Sequence, residues 1–199
     1  MTLWLVRHAQ PCIAPGVCYG ALDVPADAQA TQQAAARLAQ ALPRNARVMS
    51  SPLQRCEQLA QALCGERPDL VYTTDARLVE MTFGEWEGVP WADIPLAALD
   101  AWTADFGNYR FGGVESANEV LRRVAAVWRE SQGCMAGEGG TTIWITHAGV
   151  IRAHSLLTQG IEIVSQASQW PAKAPAFGEF VRYGDVVTQP EGAIVLPAK

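Results

Sequence analysis

The order of segments along this chain predicts an α/β protein: a three-layer α/β/α sandwich with a mostly parallel sheet and a small helical cap insertion. Three observations carry that expectation. The run Thr2–Val6 is mostly apolar and alternates little, as a strand buried on both faces does. Two stretches, Asp27–Leu42 and the one starting near Ser116, place apolar residues on one helical stripe. Strand-like and helix-like segments then alternate at intervals that fit crossover connections.

In order, the first strand is followed by a loop carrying Pro11, Pro15, Gly16 and Gly20. The helix over Asp27–Leu42 buries Ala34, Leu38 and Ala41, and Pro43 ends it. Arg47–Ser50 reads as a short strand. Pro52 suits the first turn of a second helix, whose apolar face is Leu53, Cys56, Ala60 and Leu63. Leu70–Thr74 reads as a third strand. An irregular stretch rich in Gly, Glu and Trp runs from Arg77 to Trp91, and a helix over Leu96–Phe106 belongs to the cap. Gly112 and Gly113 break the chain. Ser116 with Glu119 forms a capping-box pattern ahead of a helix with Val120, Val124, Val127 and Trp128 on one stripe. Thr141–Thr146 is the fourth strand, a helix starts after His147, and a last strand covers Glu179–Tyr183. The tail with Pro190 and Pro197 is expected to be loose. These elements make one domain over residues 1–199, with the cap insertion at about 77–115.

Composition narrows the function classes. The chain has 199 residues, 49% of them hydrophobic and 18% charged, which is enough to build a core. A formal net charge of -5 argues against a nucleic-acid partner. No apolar stretch is long enough to span a bilayer, so no membrane partner is expected. The first residues lack the basic and apolar regions of a secretory signal. Cys12, Cys18, Cys56, Cys64 and Cys134 include no Cys-x-x-Cys pair and read as reduced thiols of a cytoplasmic protein. The three histidines are scattered, so neither a metal nor another cofactor is expected.

The ligand crevice of an open α/β sheet lies outside the carboxyl ends of its strands. Here those ends carry chemistry. The first strand ends at Arg7-His8, the second just before the helix bearing Arg55, and the fourth at His147. Two imidazoles and two guanidiniums at one sheet edge suit a phosphate dianion, because guanidinium offers fixed paired donors to its oxygens. The helix beginning at Ala148 adds free backbone N–H groups. Arg7 and His8 can both face the crevice only if the strand ends between them.

These residues, with their neighbours, resemble the histidine phosphatase superfamily, the phosphoglycerate-mutase-like fold. The resemblance rests on Leu3-Trp4-Leu5-Val6-Arg7-His8-Ala9, Ser50-Ser51-Pro52-Leu53-Gln54-Arg55, Glu80-Met81-Thr82-Phe83-Gly84-Glu85-Trp86-Glu87-Gly88, Gly112-Gly113-Val114-Glu115-Ser116 and Thr146-His147-Ala148-Gly149-Val150-Ile151-Arg152, in that order. It implies that His8 attacks phosphorus and becomes phosphohistidine. It implies that Arg7, Arg55 and His147 hold the phosphoryl oxygens and that Glu80 serves as acid and then base. Ala148 follows His147 where one branch of the superfamily has an acidic Asp, which favours Glu80 in that role. Glu85, Glu87 and Glu115 remain competitors for it.

Other residues have plainer readings. His154 reads as a packed or surface histidine, and the Trp residues as core and cap packing, with Trp86 and Trp91 near the site as the exceptions. The loop Val17-Cys18-Tyr19-Gly20 with Asp23 reads either as a border of the substrate pocket, Tyr19 and Ala148 lining it, or as a plain turn. Ala9 stands where the family usually has Gly, Pro11 where it has Thr or Ser, and Ala14 where sugar-phosphate mutases have Asn. Those losses weaken a mutase reading. Within the superfamily, Gly16-Val17-Cys18-Tyr19-Gly20 and the Gly-Gly-x-Glu-Ser block resemble alpha-ribazole phosphatases. The expected function is hydrolysis of a small phosphomonoester. The alternatives are a phosphoglycerate-type mutase and a catalytically inert phospholigand-binding protein.

Overall fold

The computed structural model describes residues 2–133 and 140–184. Cys134 and the tail with Pro190 and Pro197 lie outside the described residues. The chain forms an α/β fold around one five-stranded sheet. The strands are β1 (Thr2–Arg7), β2 (Arg47–Ser50), β3 (Tyr72–Thr74), β4 (Thr141–Thr146) and β5 (Phe180–Tyr183). They lie in the order β3-β2-β4-β1-β5. The first four are parallel, and β5 runs antiparallel along β1.

Both faces of the sheet are covered, which explains the weak alternation of β1. Leu3 and Leu5 pack on one face with Val120, Val124 and Val127 of α4 (Ala117–Gly133) and with α5 (Ala148–Thr158). Trp4 and Val6 pack on the other with Ala34 and Leu38 of α1 (Ala28–Ala41) and Leu59 and Leu63 of α2 (Gln54–Glu66). Burying residues on both faces leaves no polar side for alternation to mark. Helix α4 starts as its sequence predicts: Ser116 Oγ accepts from Glu119 N–H at 3.3 Å, and Glu119 Oε2 accepts from Ser116 N–H at 2.9 Å.

Several boundaries differ from the sequence reading. Pro52 precedes α2 rather than opening it, and Leu53 is the extended N-cap residue. Its side chain cannot cap, so Asp23 does, with Oδ1 accepting from Gln54 N–H at 2.7 Å. Strand β3 is shorter at its start because Leu70 closes a turn onto Arg67. Helix α3 (Leu96–Ala104) stops before Phe106, and β5 starts one residue after Glu179.

Between β3 and α4 the chain leaves the sheet and builds a second small core. Cys18, Ile94 and Phe111 are buried there, with Trp86, Trp91 and Trp102 packed against them. Trp102 stacks on Phe111 at 4.5 Å between ring centroids. Trp86 and Trp91 also face Phe111, so both belong to this packing and not to the edge that carries His8. The segment closes where Gly112 (φ +79°) passes Phe83 backbone to backbone; a Cβ there would overlap the Phe83 carbonyl.

Candidate active site

Strand ends place the chemistry. β1 ends at Arg7, and the chain turns so that His8 N–H donates to Thr146 O at 3.0 Å, continuing the β1–β4 ladder by one bond. Just past the end of β2, Ser51 N–H donates to Ile145 O at 2.9 Å. His147 is the N-cap residue of α5, but its side chain makes no cap hydrogen bond. Three strand ends therefore deliver His8, Ser51 and His147 side by side, with the two imidazole centroids 5.1 Å apart.

His8 is almost fully buried, and its Nδ1 lies 2.7 Å from the Ala9 carbonyl. A carbonyl only accepts, so the proton sits on Nδ1 and the lone pair is on Nε2. Burial, then the charges of Arg55 and Arg7, lower the His8 pKa to about 3, so the ring is neutral. A neutral imidazole with one free nitrogen is a competent nucleophile. His147 is fully buried and held well below the ordinary value by burial and by the nearby His8 and arginines.

The cations surround this pair. Arg55 is fully buried; Nη1 and Nη2 donate to Leu22 O and Gly20 O, each at 2.7 Å, and Tyr19 lies over it at 5.3 Å. The loop at 19–23 is thus fastened to Arg55. Arg7 donates to Pro175 O at 3.0 Å and carries the Phe177 ring 3.9 Å from its guanidinium carbon. Arg152, one turn into α5, donates to Ala172 O at 3.0 Å. Among the described residues, the Nε atoms of Arg7, Arg55 and Arg152 are all buried without a partner. Unpaired buried guanidinium donors are costly, and a ligand rich in acceptors would satisfy them.

Glu80 is the carboxylate beside these cations. Thr146 Oγ1 donates to Leu78 O at 2.7 Å and so ties the segment before Glu80 to the end of β4. Glu80 Oε2 accepts from Gly149 N–H and Oε1 from Met81 N–H, each at 3.0 Å. Gly149 leaves room for this contact: a Cβ there would overlap Glu80 Oε1 and force the carboxyl to shift. The competing carboxylates are occupied elsewhere. Glu87 Oε1 accepts from Ala21 N–H, Phe83 N–H and the Thr82 hydroxyl. Glu115 pairs with Arg123 at 2.7 Å, and Glu85 is exposed.

The structure thus brings together Arg7, His8, Tyr19, Arg55, Glu80 and His147, with Ala148 buried at the start of α5. Sequence reasoning gives no role to Arg152, Ser51 or Phe177. Arg152 follows His147 by a little more than one helical turn, and helical spacing could have flagged it; nothing local marks Phe177. His154 is fully buried among Trp128, Trp144 and Tyr183, away from the site. Among the described residues no cluster could hold a metal ion, and no helix is long and apolar enough to cross a membrane.

All three histidines are buried with lowered pKa values, His8 and His154 to about 3. The unfolded chain, with values near 6.5, binds more protons than the fold below that pH. Stability complete above about pH 6.5 is therefore lost as pH falls toward 3, by up to about 1.4 kcal/mol per pH unit for each histidine. Denaturant titrations should show that decline. In the folded protein, the Cε1–H resonances of all three should stay flat between about pH 5 and pH 8. A folded-state midpoint near 6.5 for any of them would contradict the neutral assignments.

Comparison with known proteins places this geometry. The profile of the histidine phosphatase superfamily (branch 1) matches residues 3–170. The sequence matches none of the curated proteins. Among solved structures, mycobacterial glucosyl-3-phosphoglycerate phosphatase complexed with VO3 is 25% identical. It aligns over 91% of this chain and 90% of its own with a TM-score of 0.76. The protein TTHB049 from Thermus thermophilus is 27% identical over 98% of this chain and 100% of its own, with a TM-score of 0.69. A mycobacterial hydrolase at 24% identity and a TM-score of 0.76 shares the fold, over 91% of this chain and 90% of its own.

Proposed function

The chain belongs to branch 1 of the histidine phosphatase superfamily and is a phosphatase of that superfamily, and from that premise we propose that it hydrolyses a small phosphomonoester through a phosphohistidine on His8. The observation that carries the reading is the state of His8: neutral, with Nδ1–H given to Ala9 O and Nε2 left as the free nucleophile beside Arg55 and Arg7.

In the first step Nε2 forms a bond to phosphorus as the bond to the leaving oxygen breaks. Protonated Glu80 gives its proton to that oxygen. In the second step Glu80 takes a proton from water, the water oxygen bonds to phosphorus, and the phosphorus–nitrogen bond breaks. Inorganic phosphate leaves and His8 returns to its neutral form. Arg7, Arg55, Arg152 and His147 supply donors to the non-bridging oxygens, whose charge is spread in the transition state. Fixed cations in a buried site need no reorganisation as that charge shifts. The chain acts as one domain with a cap at about 77–115, and its free thiols suit a reducing, cytoplasmic setting.

Alpha-ribazole 5'-phosphate is the candidate substrate, on the resemblance of the Gly16–Gly20 loop and the Gly112–Ser116 block to alpha-ribazole phosphatases; that loop reaches Arg55 through Gly20 O. Purified protein incubated with a panel of phosphomonoesters, this one included, should release free phosphate from at least one member. Isomerised ester without free phosphate would move the assignment to a mutase. Binding of inorganic phosphate without turnover of any ester would move it to an inert phospholigand-binding protein.

A further inference from the structure

We propose that Ser51 is a positioning residue that fixes the tautomer of His147, so that its imidazole presents Nδ1–H to the phosphoryl group. The inference rests on the phosphatase reading and adds to it a residue with no role so far. Ser51 Oγ lies 2.8 Å from His147 Nε2, and both residues are fully buried. Leu53 N–H donates to the same Oγ at 3.3 Å and occupies one of its lone pairs. The Ser51 backbone is fixed twice more, by its own N–H to Ile145 O and by the Ser50 hydroxyl donating to its carbonyl, each at 2.9 Å. His147 is equally constrained, since its carbonyl accepts from Ile151 N–H in the first turn of α5.

A neutral imidazole has one proton to place. On Nε2 it would be given to Ser51, and Nδ1 would hold a lone pair. On Nδ1 it leaves Nε2 to accept the Ser51 hydroxyl proton. Cys56 Sγ lies 3.5 Å from Nε2 and 4.0 Å from Nδ1, so for Nδ1 it is a weak partner at a long distance, and among the described residues Nδ1 has no other hydrogen-bond partner. Nδ1 is thus the nitrogen left for a ligand. A phosphoryl oxygen cannot be bound by a lone pair, so productive binding requires Nδ1–H and Ser51 as donor. Cys56 does not compete as an anion: burial pushes its thiol up, and the thiol donates to Thr146 O at 3.6 Å. That carbonyl also accepts from His8 N–H, so Ser51, Cys56, His147 and the nucleophile share one hydrogen-bonded frame.

The experiment uses the full chain labelled with 15N and inorganic phosphate as the probe. Long-range 1H–15N spectra of the wild-type protein with phosphate should show a pyrrole-type Nδ1 and a pyridine-type Nε2 on His147. Ser51→Ala should lose that signature or mix it with the other tautomer. Its kcat/KM for p-nitrophenyl phosphate should fall by about 10- to 100-fold, the scale of a lost buried hydrogen bond in a network. Ser51→Thr keeps a hydroxyl and should restore both signature and rate. A pyrrole-type Nε2 in the wild type, or an unchanged tautomer in Ser51→Ala, would overturn the proposal. If Ser51→Ala does not fold, the wild-type spectrum decides alone. If no ester is hydrolysed, the phosphatase reading falls, while the spectrum with phosphate still decides the tautomer.

Discussion

His8→Ala protein should bind inorganic phosphate yet lose at least about 10⁴-fold in turnover, because removing a nucleophile from a catalytic unit disables the whole unit. The cations do not depend on His8 for their placement. Arg55 is held by Gly20 O and Leu22 O, Arg7 by Pro175 O, and Arg152 by Ala172 O. Phosphate should therefore still raise the melting temperature of the mutant, which separates a lost nucleophile from a collapsed site. Wild-type protein quenched during turnover of labelled phosphomonoester should carry label that survives alkali and is released by acid, as a phosphorus–nitrogen bond is. The mutant should carry none. Turnover of His8→Ala within about tenfold of wild type would place the nucleophile elsewhere.

How much of this site the sequence shows depends on how far apart its partners are. Strand ends are local features, so Arg7-His8 and His147 can be placed at one sheet edge from apolar runs alone. Arg55 follows from its place in the first turn of the helix after β2. What each of these residues does with its hydrogen bonds is not local. The two donors that Arg55 spends on Gly20 and Leu22, and the donor that Arg152 spends on Ala172, join segments with no common pattern. Phe177 reaches Arg7 and His8 only because β5 returns antiparallel along β1 and fastens the preceding turn, through Gly178 N–H, to the Arg7 and His8 carbonyls. Helix boundaries fail for the same reason: the residue that caps α2 is Asp23, from a different loop. The four candidate carboxylates look alike in sequence. They separate in space because Glu87 and Glu115 are used up in tying the 80s segment to Ala21 and Arg123.

Glu80 is best tested through the leaving group. A carboxyl that protonates the departing oxygen matters in proportion to how basic that oxygen is. An alkoxide from a sugar or glycerol phosphate needs the proton; p-nitrophenolate scarcely does. General acid catalysis contributes typically about 10²–10⁴-fold, so Glu80→Gln should lose a factor in that range on the alkyl ester. Formation of phosphohistidine from p-nitrophenyl phosphate should suffer far less. The second step still lacks its base, so single-turnover kinetics must resolve the steps, and label should accumulate on His8 in the mutant. Gly149→Ala provides an independent route to the same state. Its Cβ occupies the space of Glu80 Oε1, so the carboxyl must shift from its seat beside Gly149 without any change in its own chemistry. The alkyl ester should again lose more than the aryl ester. An equal loss of phosphorylation rate on both esters in Glu80→Gln would mean that Glu80 acts by charge alone. The acid would then have to come from elsewhere. Glu85, which is exposed, and Glu115, which reaches the same segment through Thr82 N–H at 3.2 Å but would first have to release Arg123, would then be tested as the acid.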